Sequence, residues 1–155
     1  MERTVEIIGF EPTYSHHFTE LNLEWIKHYF KVEEQDLMML NDPVAYIIDK
    51  GGEIFFARVD GEIVGTCALI KNPDGSYELS KMAVSPKYQG LKLGWKLGKA
   101  VVDKARELGG TSIWLESNTI LTPAIRLYEK LGFVEVPDFV SPYERANIKM
   151  EIVFE

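Results

Sequence analysis

The chain has 155 residues, 46% of them hydrophobic, with 24 acidic side chains against 17 basic ones and a single cysteine. That length suits one domain spanning 1–155 and buries enough surface to need no metal or disulfide staple. A net charge of −7 without a basic block or stripe argues against nucleic acid as a partner. The apolar run Val44 to Ile48 is too short to span a bilayer, no signal-peptide core is present, and the lone Cys67 suits a reduced, cytoplasmic setting, so a soluble protein is expected.

In chain order, Thr4 to Phe10 reads as a strand broken by Glu11-Pro12. Phe18, Leu21, Trp25, Tyr29 and Phe30 recur at helical steps with polar residues between them, predicting an amphipathic helix. Its aromatic residues and Met38-Met39 are expected in the core, with a few free to line a pocket. A short helix follows at Glu33 to Leu40, acidic in its first turn where the helix dipole favours negative charge. Ile54 to Val59, Ile63 to Ile70 and Tyr77 to Val84 form a meander, turned at Asp60-Gly61 and Asn72-Pro73-Asp74-Gly75.

From Leu93 the period changes, and a long amphipathic helix runs to a left-handed cap at Gly109-Gly110. Ile113 to Glu116 is a short strand. Thr122 reads as an N-cap with Pro123 at the first helical position, opening a helix that ends at Leu131-Gly132, and Phe133 to Val136 and Asn147 to Phe154 are the last strands. This order indicates an α/β or α+β fold: a mixed, largely antiparallel sheet of six to seven strands with about four helices.

The most informative stretch runs from Met82 to Trp95, where a strand ends, a loop carries Gly90 and Gly94, and the long helix begins. Such a junction presents free backbone N–H groups at a positive helix end, a setting for an anion such as pyrophosphate. Gly94-Trp95-Lys96-Leu97-Gly98-Lys99 is one residue short of a Walker A loop and lacks its hydroxyl, and the dinucleotide glycine fingerprint is absent. Gly94 and Gly98 are four apart, a spacing that permits close helix packing.

The words Leu79 to Val84, Ser85-Pro86-Lys87-Tyr88-Gln89-Gly90 and Ala124-Ile125-Arg126-Leu127-Tyr128-Glu129-Lys130-Leu131-Gly132-Phe133 resemble, in content and order, the GNAT superfamily of acyl-CoA-dependent N-acetyltransferases. The resemblance implies a sheet splayed into a V and acetyl-CoA as co-substrate, its pantetheine lying along Met82, Ala83 and Val84. It places the pyrophosphate on Gln89, Gly90, Leu91, Lys92, Leu93, Gly94 and Trp95. Two positions depart from the family pattern. Lys92 stands where the inner glycine of the Gln/Arg-x-x-Gly-x-Gly/Ala loop belongs, and Leu121 stands where many members carry a pantetheine-contacting asparagine; Asn118, three residues earlier, is either its replacement as a donor contact or a plain turn residue, and Tyr128 also lies at the donor.

The implied reaction acetylates a primary amine, with Tyr128 protonating the leaving thiolate, Glu116 as base and Glu78 as its competitor, and the Met82 N–H meeting the oxyanion. No metal is expected: His16, His17 and His28 show no Cys or acidic partner at ligand spacing, and read as solvated. The acceptor is unnamed, and a monomer or homodimer fits equally. The alternative is a module that binds or senses acyl-CoA with little or no transfer.

Overall fold

The computed structural model describes residues 3–155. Seven strands form one sheet in the order β1-β2-β3-β4-β5-β7-β6. They are β1 (Val5–Gly9), β2 (Glu53–Val59), β3 (Glu62–Lys71), β4 (Tyr77–Val84), β5 (Ser112–Ser117), β6 (Val134–Val136) and β7 (Ile148–Val153). The helices are α1 (Ser15–Tyr29), α2 (Glu34–Asn41), α3 (Leu93–Glu107) and α4 (Thr122–Leu131). Every strand pair is antiparallel except β4 with β5.

The core has two halves, one on each face of the sheet. Leu97, Val101 and Ala105 of α3 pack on Leu69, Leu79, Ile113 and Leu115, while Phe18 and Ile26 of α1 and Leu40 of α2 pack on Ile54, Phe56 and Ala68. Full burial of each large apolar side chain contributes about 1.5–3 kcal/mol, so the sheet is clamped from both sides. Helix α4 lies close against α3 because α3 lacks side chains at the contact. A Cβ on Gly98 would meet Leu131 Cδ1 at 2.6 Å, and one on Gly94 would meet Leu127 Cδ2 at 3.2 Å.

Two features of the sheet open a cleft. Strands β4 and β5 pair only at Tyr77–Ile113 and Glu78–Trp114, so beyond Leu79 they diverge. Opposite β3, Thr66 faces Ala83 and Ala68 faces Ser80, so β4 carries one extra residue. Lys81 takes up that bulge at φ 55, a left-handed conformation uncommon outside glycine. A bulge bends its strand and increases local twist, which turns the end of β4 away from β5.

The observed elements follow the sequence expectation closely, with three corrections; the first is that Thr122 is the first residue of α4 rather than its N-cap, a position Leu121 holds without a side-chain capping bond. Residues Val44–Ile48 form a π-helical turn with Ile47 buried, where only a short apolar run was expected. Along α1 the buried line is Phe18, Asn22 and Ile26, while Tyr29 is 49% exposed, as is Met38 on α2. Tyr29 and Met38 therefore lie outside the core in which they were expected. Cys67 is fully buried, and burial pushes its thiol pKa up, so it is an inert packed side chain. No helix among the described residues is long and apolar enough to cross a membrane.

Candidate active site

The divergence of β4 and β5 leaves a cavity of about 110 Å³. Its walls are the β4 residues Glu78 to Met82, Leu115 to Asn118 around the end of β5, Asn22, Trp25 and Ile26 of α1, Tyr128 of α4, and Tyr143 to Ala146 without Glu144. The sheet supplies the floor, and elements distant in sequence close over it.

Along β4 and the loop that follows it the notable feature is unused backbone. The edge of β4 from Ser80 to Val84 has no strand partner on the β5 side. Among the described hydrogen bonds, no N–H from Gln89 to Trp95 has an acceptor; the first paired amide is Lys96 N, donating to Lys92 O at 3.0 Å. Lys92 is the N-cap of α3, exposed, at φ 57 and ψ 34, without a side-chain capping bond. The departure noted in the sequence thus falls on a left-handed position, which explains why glycine suits it. Nothing lies within 4 Å of a Cβ built on Gly90, so this turn is open on its outer side. Leu93 is buried in the core and offers only its amide, whereas Trp95 is 40% exposed.

Tyr128 is half-buried, its ring edge-on to Phe133 at 6.0 Å, and it lines the cleft. Burial pushes its phenol pKa up, so it holds its proton at neutral pH. Asn118 also reaches the cleft, but its Nδ2 donates to Arg145 O at 2.6 Å and its Oδ1 accepts from Ile120 N at 3.0 Å. It acts as a turn residue that ties the 143–147 segment to the end of β5. Leu121 adds an apolar wall.

Both candidate bases face the same cavity. Glu116 accepts a hydrogen bond from Ser141 Oγ, which itself accepts from Tyr143 N at 2.9 Å. Glu78 makes no such bond, and its pKa is pushed up to about 7, first by burial and then by the like charge of Glu116, with Lys81 and Lys149 opposing. A carboxylate poised near 7 is matched to proton transfer at neutral pH.

Behind the cleft lies an ionic cluster that sequence reasoning did not find. Asp36 is fully buried and accepts from Lys81 Nζ at 2.6 Å and from Arg145 Nη1 and Nη2 at 2.7 and 2.6 Å. Arg145 also meets Glu33 at 3.0 Å. Burial alone would raise the Asp36 pKa, but the hydrogen bonds from Arg145 and Lys81 outweigh it and hold it at about 2. The Tyr143 ring stands near both cations, 5.1 Å from Lys81 Nζ and 4.6 Å from the Arg145 guanidinium. Asp36 had looked like an ordinary first-turn acid, and nothing local marks Arg145 as its partner 109 residues away.

A separate group corrects the histidine reading. His16, His17 and Glu20 bring their ligand atoms within 4.8 Å of one another at the start of α1, so these histidines do have an acidic neighbour. This group lies outside the cavity between β4 and β5.

A sheet split between its parallel pair, with bare amides on one lip and at a helix N-terminus beside it, defines the acyl-CoA N-acyltransferase architecture. The chain belongs to the GNAT acetyltransferase family, whose model matches residues 14–133. It is 32% identical over 125 residues to the "probable N-acetyltransferase camello" of Xenopus tropicalis, covering 72% of this chain and 57% of that one. It is 38% identical over 88 residues to an uncharacterized N-acetyltransferase of Mycobacterium tuberculosis, covering 57% and 56%. The chain therefore spans little more than half the length of these curated relatives. In fold it resembles an acetyltransferase of the GNAT family from Staphylococcus aureus, with TM-score 0.86, 24% identity and coverage of 98% and 100%. It also resembles the Salmonella typhimurium protein yncA solved with its cofactor acetyl-CoA, with TM-score 0.77, 17% identity and coverage of 97% and 94%.

Proposed function

We propose that this protein transfers an acetyl group from acetyl-CoA to a primary amine by direct attack of the amine on the thioester. The observation that carries the reading is the split between β4 and β5, which places unpaired backbone N–H groups, a protonated phenol and a carboxylate poised near neutrality around one cavity. The donor supplies the activated acetyl thioester; the chain supplies the rest.

The free edge at Met82, Ala83 and Val84 suits an extended pantetheine by strand addition, and the amides from Gln89 to Trp95 suit its pyrophosphate. These are fixed donors, so binding an anion there requires little reorganisation despite the net charge of −7. An ammonium with an ordinary pKa near 10.4 must lose a proton before it attacks, at a cost of about 4–5 kcal/mol at pH 7. Glu78 is the residue we assign to receive that proton. Glu116, which accepts a hydrogen bond from Ser141, contributes like charge that, after burial, helps raise the Glu78 pKa. The Met82 N–H meets the negative charge that develops on the thioester oxygen, and Tyr128 returns a proton to the departing sulfur.

Two measurements test this reading. Millimolar acetyl-CoA is expected to raise the melting temperature, because a ligand that binds only the folded state stabilises it. An amine panel is then expected to show acceptor-dependent release of the CoA thiol. A raised melting temperature without release would assign the chain to the acyl-CoA-binding alternative; no shift in melting temperature would remove the donor site itself.

A further inference from the structure

Asn22 lies at the centre of the buried line of α1 and is 1% exposed, yet it lines the cavity. Its Nδ2 donates to Phe18 O at 3.0 Å. A carbonyl oxygen can only accept, so this bond fixes which end of the amide is nitrogen and leaves Oδ1 as the end without a partner. Among the described residues no fully enclosed side-chain oxygen or nitrogen lacks a hydrogen bond, so Asn22 Oδ1 is not fully enclosed, and the cavity is the space that Asn22 lines. A buried amide on an otherwise apolar helix face costs free energy unless something satisfies it.

The surroundings indicate what that partner is. The two cations on the cavity wall are already engaged: Lys81 by Asp36, and Arg145 by Asp36 and Glu33. The acceptors on the strand side are Glu78 and Glu116, and Asn22, Trp25 and Phe30 line the same cavity from the helical wall. A single nitrogen held by the strand-side carboxylates leaves the helix-side oxygen for a second group.

Resting on the acetyltransferase reading, we infer that Asn22 is a specificity-determining residue, whose Oδ1 receives an N–H or O–H that the acceptor carries in addition to the amine being acetylated. The acceptor class is then a compact amine with a second donor group, a diamine or an amino alcohol, whose connecting carbons pack on Trp25 and Phe30. A simple alkylamine would leave Asn22 unsatisfied and bind less well. A site built to hydrogen-bond a polar group rejects the analogue that lacks it much more strongly than an apolar pocket rejects one extra methylene.

The test uses matched pairs, an alkylamine and the same chain ending in an amine or hydroxyl, measured for binding by calorimetry with CoA present and for acetylation with acetyl-CoA. The donor-bearing member is expected to bind at least about tenfold more tightly to the wild type. Asn22→Leu, which keeps the volume, is expected to abolish that preference. Asn22→Asp, which keeps an acceptor oxygen, is expected to retain the preference for the diamine. Equal binding of both members to the wild type would overturn the inference, as would a preference that survives Asn22→Leu. Should Asn22→Leu fail to fold, loss of the diamine preference in Asn22→Asp would overturn it equally. Discrimination in binding without acetylation would uphold the role of Asn22 and overturn the transferase reading instead.

Discussion

The two sides of the cleft are built by different means. The side we assign to the donor is backbone: a bare strand edge, a left-handed N-cap at Lys92 and a run of unpaired amides, all between Ser80 and Trp95. The side we assign to the acceptor is side chains brought together from α1, α2, the β4 bulge and the 143–147 segment, fastened by the Asp36–Lys81–Arg145 cluster. Backbone donors present the same groups whatever the side chains are, so that side suits an invariant ligand. Side chains contributed by distant segments can be exchanged without disturbing the sheet, which suits a ligand that differs from one protein to another.

The largest expected effects separate the chemistry of the two sides. Glu78→Gln and Tyr128→Phe should each lower kcat by about 10²–10⁴ while leaving CoA affinity within a few-fold, as read by steady-state kinetics and calorimetry. In the wild type, kcat/KM should rise with pH through about 7 as Glu78 loses its proton. Glu116→Gln removes the like charge, so the midpoint should move to lower pH, though not to the ordinary carboxylate value, because burial is the larger cause and persists. An unmoved midpoint would separate Glu78 from the pH profile.

Next in size is the cluster behind the acceptor wall. Asp36→Ala leaves the buried Lys81 ammonium without its partner and Arg145 with Glu33 alone, and should destabilise the protein by about 3–5 kcal/mol in chemical unfolding. Asp36 also sets an acid limit. Its folded pKa of about 2 lies below the ordinary 3.8, so its contribution is fully present above the unfolded value and is lost as pH falls through about 2. The loss amounts to about 2 kcal/mol, and Asp36→Asn should flatten the stability profile over that window.

The smallest expected effect lies at Lys92. Lys92→Gly relieves a left-handed side chain but adds glycine's entropy to the unfolded chain, so the net gain should be within about 1 kcal/mol in thermal unfolding. If the lysine acts as a point charge on the donor phosphates, the same variant should bind CoA less tightly, and more so at low salt.

The contrast between the two sides also explains how much of the molecule could be read in advance. Asp60-Gly61 and the Gly109 cap depend on neighbours in sequence, and the elements they bound fell where local chemistry put them, while the start of α4 fell one residue earlier than its Thr-Pro signal placed it. Tyr128 and the amides from Gln89 to Trp95 were legible for the same reason: each sits inside a contiguous word. The acceptor side was not. Asn22 looked like part of the polar face of α1 because the helix was phased on its aromatic residues, and only the observed line Phe18, Asn22, Ile26 turns it inward. Lys81 carries no local sign of a bulge, since lysine rarely adopts a positive φ. Asp36 and Arg145 are joined by tertiary structure alone.

The most direct test of the account is release of the CoA thiol from acetyl-CoA as a function of pH, with and without an amine acceptor. The account predicts release that requires the amine, rises through about pH 7 and collapses in Glu78→Gln. Acetyl-CoA binding with no acceptor-dependent release, or release whose pH profile and rate are the same in Glu78→Gln, would contradict it.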